Sequence, residues 1–429
     1  MVVIGAGFSG AAVAANLLRA GAHVTLVERG ERFGPGLAYG RAAGANVMNV
    51  RAARLSLYAD EPAHFVHWLE RRQSGDQAQS FAKRAQYGAY VRDTLNAAAA
   101  RRWPSRLRRV RDEATACRAE GAGWAVTLAS GRLLHARAVV IAIGHPPPAI
   151  PAPFAVGDMI DPWDRAAQRK LPRKGDVLLV GTGLTMVDVA LGLAESRRKG
   201  VIYALSRRGQ LPHAHAAPHI PITLPRLPAA MSEAVHAFRA EAKHSDWRVL
   251  LDALRAETPA MWRALSPEAQ RRFLRHLRPW WDSHRHRVAP DIAAQLAALI
   301  EKGRLHILSG EIIQAARENG VWRLQHRGRG SVVRHRMETV GVINCAGADF
   351  RAARWADPLV RQLLDEGLAR APANGLGLEV DADDRLLDAA GVAQPGLFAL
   401  GPLALGSHWE TIAVPELRAR AASIARALA

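Results

Sequence analysis

Two glycine-rich turns and the residues that answer them carry the most specific chemistry in the sequence. In Gly5-Ala6-Gly7-Phe8-Ser9-Gly10, Gly5 permits a tight turn, Gly7 lets backbone N–H groups approach a pyrophosphate, and Gly10 allows a helix to pack closely. The helix that follows directs partial positive charge at the phosphates. Eighteen residues beyond Gly10 stands Glu28, whose carboxylate can accept a ribose hydroxyl. The second turn, Gly181-Thr182-Gly183-Leu184-Thr185-Met186, keeps two glycines and has Met186 in place of the third, so its helix is expected to pack less closely. Where an acid would answer it, the sequence has Ser206-Arg207-Arg208. A carboxylate there would repel a ribose 2′-phosphate, whereas Arg207 and Arg208 can chelate it. The first site therefore suits a dinucleotide with a free ribose hydroxyl and the second NADPH in preference to NADH.

Histidines also gather at short spacing, in His213, His215 and His219 and in His284-Arg285-His286-Arg287. No cysteine or carboxylate set completes a metal-ligand spacing beside them, so no metal is expected. Asp282, His284 and Arg287 are candidates for the rim of an active site. No Gly-x-Ser-x-Gly nucleophile turn is present, and no catalytic acid or base can be named. Cys117 and Cys345 are the only cysteines and lie far apart, which excludes a disulfide framework and a dithiol redox pair.

The elements that must position these turns repeat. An apolar strand (1–4), the glycine turn, an alanine-rich helix (11–20) and a strand (23–28) form one βαβ entry, and 176–180, 181–183, 184–195 and 201–205 form another. Each unit is closed by an apolar strand running into glycine, at Gly144 and at Gly347, after strands that read as a meander. A proline-rich stretch from Pro146 to Pro172 reads as the crossing between units. The period from about 228 to 299 is helical and contains Trp247, Trp262, Trp280 and Trp281, read as core of an insert. The expected division is 1–150 for the first part of an FAD-binding domain and 151–340 for an NADPH-binding domain carrying the insert. Residues 341–429 then supply a closing strand and the C-terminal part of the FAD domain.

The formal charge is +19, mostly from arginine, which draws in anionic cofactors or substrates; its densest run, Arg101 to Arg111 around Trp103, borders a strand whose outer face is solvated. A nucleic-acid partner is therefore not the favoured reading. The uncharged stretch from Met1 to Leu18 contains Gly5, Gly7, Gly10, Ser9 and Asn16 and has no basic leader, so it reads as buried strand and helix rather than a membrane span, with the cytoplasm as default location.

Taken together these segments resemble the two-dinucleotide-binding flavoproteins, in particular the FAD/NAD(P)-binding branch related to amino-acid N-hydroxylases and Baeyer-Villiger type monooxygenases. The resemblance spans nearly the whole chain and rests on VVIGAGFSG, FGPGLAYG (33–40), MNVRAARLS (48–56), RAQYGAYV (84–91), GTGLTMVD with SRRGQLP, WWDSHRHRVAP (280–290) and LGPLALGSHWETIAVPELR (400–418). It implies two Rossmann-like three-layer α/β domains in the glutathione-reductase-like arrangement. It also implies FAD contacts at Gly5, Gly7, Phe8, Ser9, Gly10 and Glu28, with Gly36, Tyr39, Asn49, Val50 and Gly144 nearer the flavin. Gly401, Glu410 and Thr411 would approach the isoalloxazine, ahead of a helix pointing its N-terminus at the pyrimidine end. Many relatives carry aspartate after the late glycine; here Pro402 follows Gly401. The implied activity is an NADPH-dependent monooxygenase that uses oxygen on a small polar, nitrogenous substrate. The alternatives are an NADPH dehydrogenase or oxidase and a flavin-bearing nucleic-acid-binding protein.

Overall fold

The computed structural model describes residues 1–429 except 41–45, 197, 219, 221, 225, 226 and 229. Val2–Ile4 and Val139–Ile141 are three-residue runs of β-branched side chains, buried throughout, as strands covered on both faces must be. They pair in parallel at the centre of a six-stranded sheet. Its order is Arg385–Leu387, Ala393–Ala399, Val139–Ile141, Val2–Ile4, Val24–Glu28 and Leu107–Arg111. The outermost strand, Leu107–Arg111, exposes Arg108 and Arg109 to solvent. One face is covered by the helix Phe8–Arg19 together with Arg84–Ala100 and Val414–Leu428. The opposite face meets a separate antiparallel meander of Ala114–Glu120, Gly123–Leu128 and Leu133–Ala136, whose central strand alternates buried with half-buried residues. The opening residues that the sequence reads as strand and helix thus lie in the core, and no helix among the described residues is long and apolar enough to cross a membrane.

The second sheet has the order Arg334–Thr339, Val321–Gly328, Leu305–Glu318, Ile202–Ser206, Val177–Val180 and Gly341–Asn344. Leu305–Glu318 changes partners along its length. Its first residues run parallel to Ile202–Ser206, and from Gly310 it pairs antiparallel with Val321–Gly328. The meander of this unit is therefore an extension of its own sheet. Since Gly341–Asn344 pairs with Val177–Val180, the chain leaves the second sheet only beyond Asn344, then supplies Arg385–Leu387, Ala393–Ala399 and the last helix to the first.

Between Ile202–Ser206 and Leu305–Glu318 lies a run of helices from Met231 to Glu301. Its last helix, Pro290–Glu301, packs Leu296 against Val187, Ala190 and Leu305 and is the covering helix of the second sheet, so the insert proper ends near Arg287. The rest of the insert leans on the first unit. Trp262 stacks on Trp409 at 4.9 Å and donates its indole N–H to Gly406 O at 2.7 Å. Trp262 is core, as the sequence suggests, whereas Trp280 is half exposed.

Candidate functional site

At the first turn Gly5 has φ +92°, and a Cβ there would sit 2.4 Å from the Ala142 carbonyl oxygen. A Cβ on Gly10 would lie 1.8 Å from the Gly5 oxygen, so the helix touches the turn backbone to backbone. Gly7 and Gly36 approach one another as closely: a Cβ on Gly36 would be 2.8 Å from the Gly7 Cα. Gly7 caps the helix Phe8–Arg19 without any side-chain hydrogen bond, leaving the first-turn N–H groups of Phe8, Ser9 and Gly10 directed outward without a side-chain acceptor at the cap. The Phe8 ring packs away from them, 6.0 Å from Tyr87 and 6.5 Å from Tyr39. Across the turn, Gly401 (φ +87°) brings its backbone beside Ser9 Oγ, and Gly144 (φ +81°) leaves open space where a side chain would be. This bare, N–H-rich cradle fits a pyrophosphate.

Glu28 closes the cradle. Its Oε2 accepts the Ala6 N–H and its Oε1 the Gly30 N–H, both at 2.7 Å. Each oxygen keeps a further lone pair, and the carboxylate is fixed in orientation at the end of Val24–Glu28, where the ribose is expected.

The second turn is built alike with different fillings. Gly181 (φ +120°) would place a Cβ 2.1 Å from the Cys345 oxygen, and Gly183 caps Leu184–Glu195, again with no side-chain bond. Met186 is fully buried among Val177, Leu179 and Ile202, filling with side chain the gap that Gly10 closes with backbone. The Thr182 hydroxyl bonds Ser206 Oγ at 2.8 Å and the Gln210 carbonyl at 2.6 Å, tying the turn to the end of Ile202–Ser206. Arg207 and Arg208 follow at once, and neither guanidinium has a carboxylate partner among the described residues.

A cleft of about 430 Å³ lies between the units. From the first unit it is lined by Tyr39, Asn49, Val50 and Arg54, and from the second turn's helix by Leu184. The insert adds Asp252, Arg255, Arg285 and Arg287, and Ile412, Ala413 and Val414 bring the start of the last helix to the same wall. Burial pushes the Tyr39 phenol up to about 12, so it is a neutral hydroxyl at physiological pH. His215 Nε2 donates to Asn49 O, 2.9 Å away, and burial drives the ring's pKa down to about 4, leaving it neutral with its proton on Nε2.

Behind the wall a network of charges fastens the insert to the last helix. Glu410, at φ +74°, is buried; its Oε1 accepts the Trp281 indole N–H at 2.7 Å, and Arg285 stands 3.0 Å from Oε2. Burial alone would raise the Glu410 pKa, but Arg285 and His286 together with the Trp281 bond hold it below the usual carboxylate range. Arg255 grips Glu416 in the helix's first turn with two nitrogens, and Arg287 pairs with Asp252. The Glu410 carboxylate is thus engaged by the insert. Thr411 is buried with its hydroxyl unbonded among the described residues. A second tie crosses the interface nearby, where Arg84 pairs with Asp188 at 2.8 Å and donates to Val47 O at 3.1 Å.

Of the three rim candidates, only Arg287 lines the cleft. His284 stacks 4.5 Å from His213 with Trp247 beside both, and Asp282 pairs with Arg278. His219 lies outside the described residues. No three His, Cys, Asp or Glu side chains gather as metal ligands among the described residues. The sequence reading did not single out Arg54, Asp252, Arg255 or Glu416. Arg54 lies inside a stretch whose pattern was conspicuous, but the other three act through ion pairs that sequence spacing does not reveal.

Residues 2–146 match a family model described as FAD-NAD(P)-binding. No curated protein matches the chain by sequence. Among solved structures, the chain is similar to an ornithine N-hydroxylase from Kutzneria sp. 744, with TM-score 0.71 and 17% identity over 100% of this chain and 98% of that one. An L-lysine 6-monooxygenase from Pseudomonas syringae gives 0.71 and 18% over the same shares. A cadaverine monooxygenase from Erwinia amylovora, bound to FAD, gives 0.70 and 11% over 99% and 93%. The chain has the two-dinucleotide-binding flavoprotein fold.

Proposed function

We propose that this chain is an FAD- and NADPH-dependent monooxygenase acting on a small nitrogenous substrate. The observation that carries the reading is the cleft, which is bordered both by Leu184 at the start of the second turn's helix and by Ile412–Val414 at the start of the last helix. Two nucleotides laid on the two turns would meet there.

The residues present fit both groups. Phe8, Ser9 and Gly10 would give N–H groups to the FAD pyrophosphate, with Gly5, Gly7, Gly36, Gly144 and Gly401 making room and Glu28 accepting from the ribose. Gly181 and Gly183 would receive the NADPH pyrophosphate, and Arg207 and Arg208 its 2′-phosphate. Tyr39, Asn49 and Val50, with the backbone at Glu410 and Thr411, would border the isoalloxazine. FAD, when bound, supplies the redox chemistry itself, taking hydride from the nicotinamide and passing the electron pair to oxygen.

This chain's own residues orient and shield. The helix Val414–Leu428 has Ala413 at its cap with no side-chain bond, so its N–H groups can stabilise negative charge that develops at the cleft. The insert, locked by Arg285 and Arg255 to Glu410 and Glu416, closes that side against water. Cys117 is buried and its thiol pushed up to about 12, and Cys345 is raised as well, so neither offers a thiolate as electron acceptor. Oxygen or a small acceptor remains. The similarity to an ornithine N-hydroxylase, an L-lysine monooxygenase and a cadaverine monooxygenase supports a nitrogenous substrate.

The test is to purify the protein with FAD, reduce it with NADPH and with NADH, and follow reoxidation by oxygen with L-ornithine, L-lysine, cadaverine or urate present. Hydroxylated product formed in step with NADPH oxidation is expected with at least one nitrogenous substrate. Stoichiometric peroxide whatever is added would replace the proposal with an oxidase, and protein that retains no flavin after supply of FAD would end it.

A further inference from the structure

We infer that the substrate bound in this cleft carries an anionic group, a carboxylate or its equivalent, and that the guanidinium of Arg54 holds it. The inference rests on the cleft being the substrate site of the reading above.

Among the described residues five arginines line the cleft: Arg51, Arg54, Arg255, Arg285 and Arg287. Three are neutralised in place, Arg255 by Glu416, Arg285 by Glu410 and Arg287 by Asp252. Arg51 has no carboxylate partner among the described residues, but its donors are used, to Gln79 O at 2.8 Å and Ala216 O at 2.7 Å, and its guanidinium lies over the Phe81 ring. Arg54 differs from all four. It ends the short helical turn Ala52–Arg54, and its guanidinium makes no hydrogen bond or ion pair with any described residue.

Arg54 is exposed on the cleft side of that turn. Partial desolvation by the cleft wall, then repulsion from Arg255 and Arg285, depresses its pKa, against attraction from Asp252 and Glu416, which are already paired. A guanidinium stays charged regardless, so the imbalance is met by an anion rather than by loss of a proton. Among the described residues, these five cations and the three carboxylates that pair with them, Glu416, Glu410 and Asp252, leave an excess of two positive charges, and neutral His215 adds none. Acceptors are scarce too. The Nε groups of Arg285 and Arg287 are buried with no hydrogen-bond partner among the described residues. A carboxylate matches the planar fork of Arg54 with two parallel bonds, whereas a diamine of similar length would bring further positive charge into an already positive cleft.

The test uses two pairs of probes that differ chiefly in anionic charge: L-lysine against cadaverine, and benzoate against benzamide. Each is titrated into FAD-loaded protein while the visible flavin spectrum is followed, an equilibrium reading that needs no turnover. Wild type should respond to the anionic member of each pair at concentrations about tenfold or more below its partner. Arg54→Gln should erase that preference, and Arg54→Lys should restore part of it. Equal response to both members, a preference for cadaverine or benzamide, no response to any anion at millimolar concentration, or a preference that survives in Arg54→Gln would each overturn the inference. So would loss of FAD from Arg54→Gln, which would make Arg54 a flavin contact. NADPH-driven flavin reduction and product formation, measured separately on wild type, report on the monooxygenase reading and can fail or succeed independently of the charge preference.

Discussion

The two phosphate turns begin from the same plan and reach opposite solutions at two points. In the first, backbone meets backbone at Gly10, and a carboxylate, Glu28, is fixed at the end of the following strand by the Ala6 and Gly30 N–H groups. In the second, the Met186 side chain supplies the packing, and Arg207 and Arg208, without a carboxylate partner among the described residues, stand where the acid would be. A glycine contact is intolerant because nothing can move aside when the neighbour is a carbonyl of the same turn. A side-chain contact tolerates change and pays for it only in cavity energy. The difference teaches that one site is specified by what cannot be present and the other by what has been added.

The sharpest way to break this comparison is to exchange the third positions. Gly10→Ala places a methyl 1.8 Å from the Gly5 oxygen, so the purified variant is expected to lose its flavin absorbance or fail to accumulate. Met186→Gly opens a cavity under the second helix and should cost about 3–4 kcal/mol in chemical unfolding, yet leave FAD in place. If Met186→Gly lost flavin as readily, the two turns would not be independent. The ribose positions come next. Removing both guanidiniums in Arg207→Ala/Arg208→Ala should weaken NADPH by roughly 100-fold in flavin-reduction kinetics while changing NADH little. Equal losses for the two coenzymes would mean that these arginines do not read the 2′-phosphate.

Acid tests the seam between the units. His215 has a folded pKa near 4 against an ordinary value of 6.5, so the folded state resists protonation. Its contribution is fully present above pH 6.5 and is lost as pH falls from there through 4, amounting to roughly 2 kcal/mol after allowance for partial exposure. His215→Phe should flatten that part of the stability profile. The smallest effect belongs to Glu28→Gln. The amide oxygen can still accept one N–H, but the amide nitrogen must replace the other acceptor, and FAD affinity should fall about tenfold, some 1.4 kcal/mol.

How much was legible follows from the same contrast. Gly5, Gly7 and Gly10 could be read because their role is a property of missing side chains, and Glu28 because the length of a βαβ unit fixes where it falls. The sheets were legible from Val2–Ile4 and Val139–Ile141, whose runs of buried β-branched residues suit strands covered on both faces. The wall of the cleft was not. Arg255 reaches Glu416 and His215 reaches Asn49 across more than 150 positions, and no local pattern announces such partners. The insert's boundary was overextended for a related reason: the amphipathic period of Pro290–Glu301 is the same whether it covers a sheet or joins a helical cluster, and only packing separates the two.

The order of strands in the first sheet also bears on how the protein is made. Ala393–Ala399 lies beside Val139–Ile141, and Val414–Leu428 rests on the helix of the opening turn. The opening turn leaves the ribosome early, while the strand and helix that cover it leave long after the whole second sheet has been synthesised. During that interval the nascent chain carries an unfinished sheet edge and an apolar helix face. The second unit, contiguous from its glycine turn to Asn344, can close first and serve as a folded neighbour against which the older half is completed.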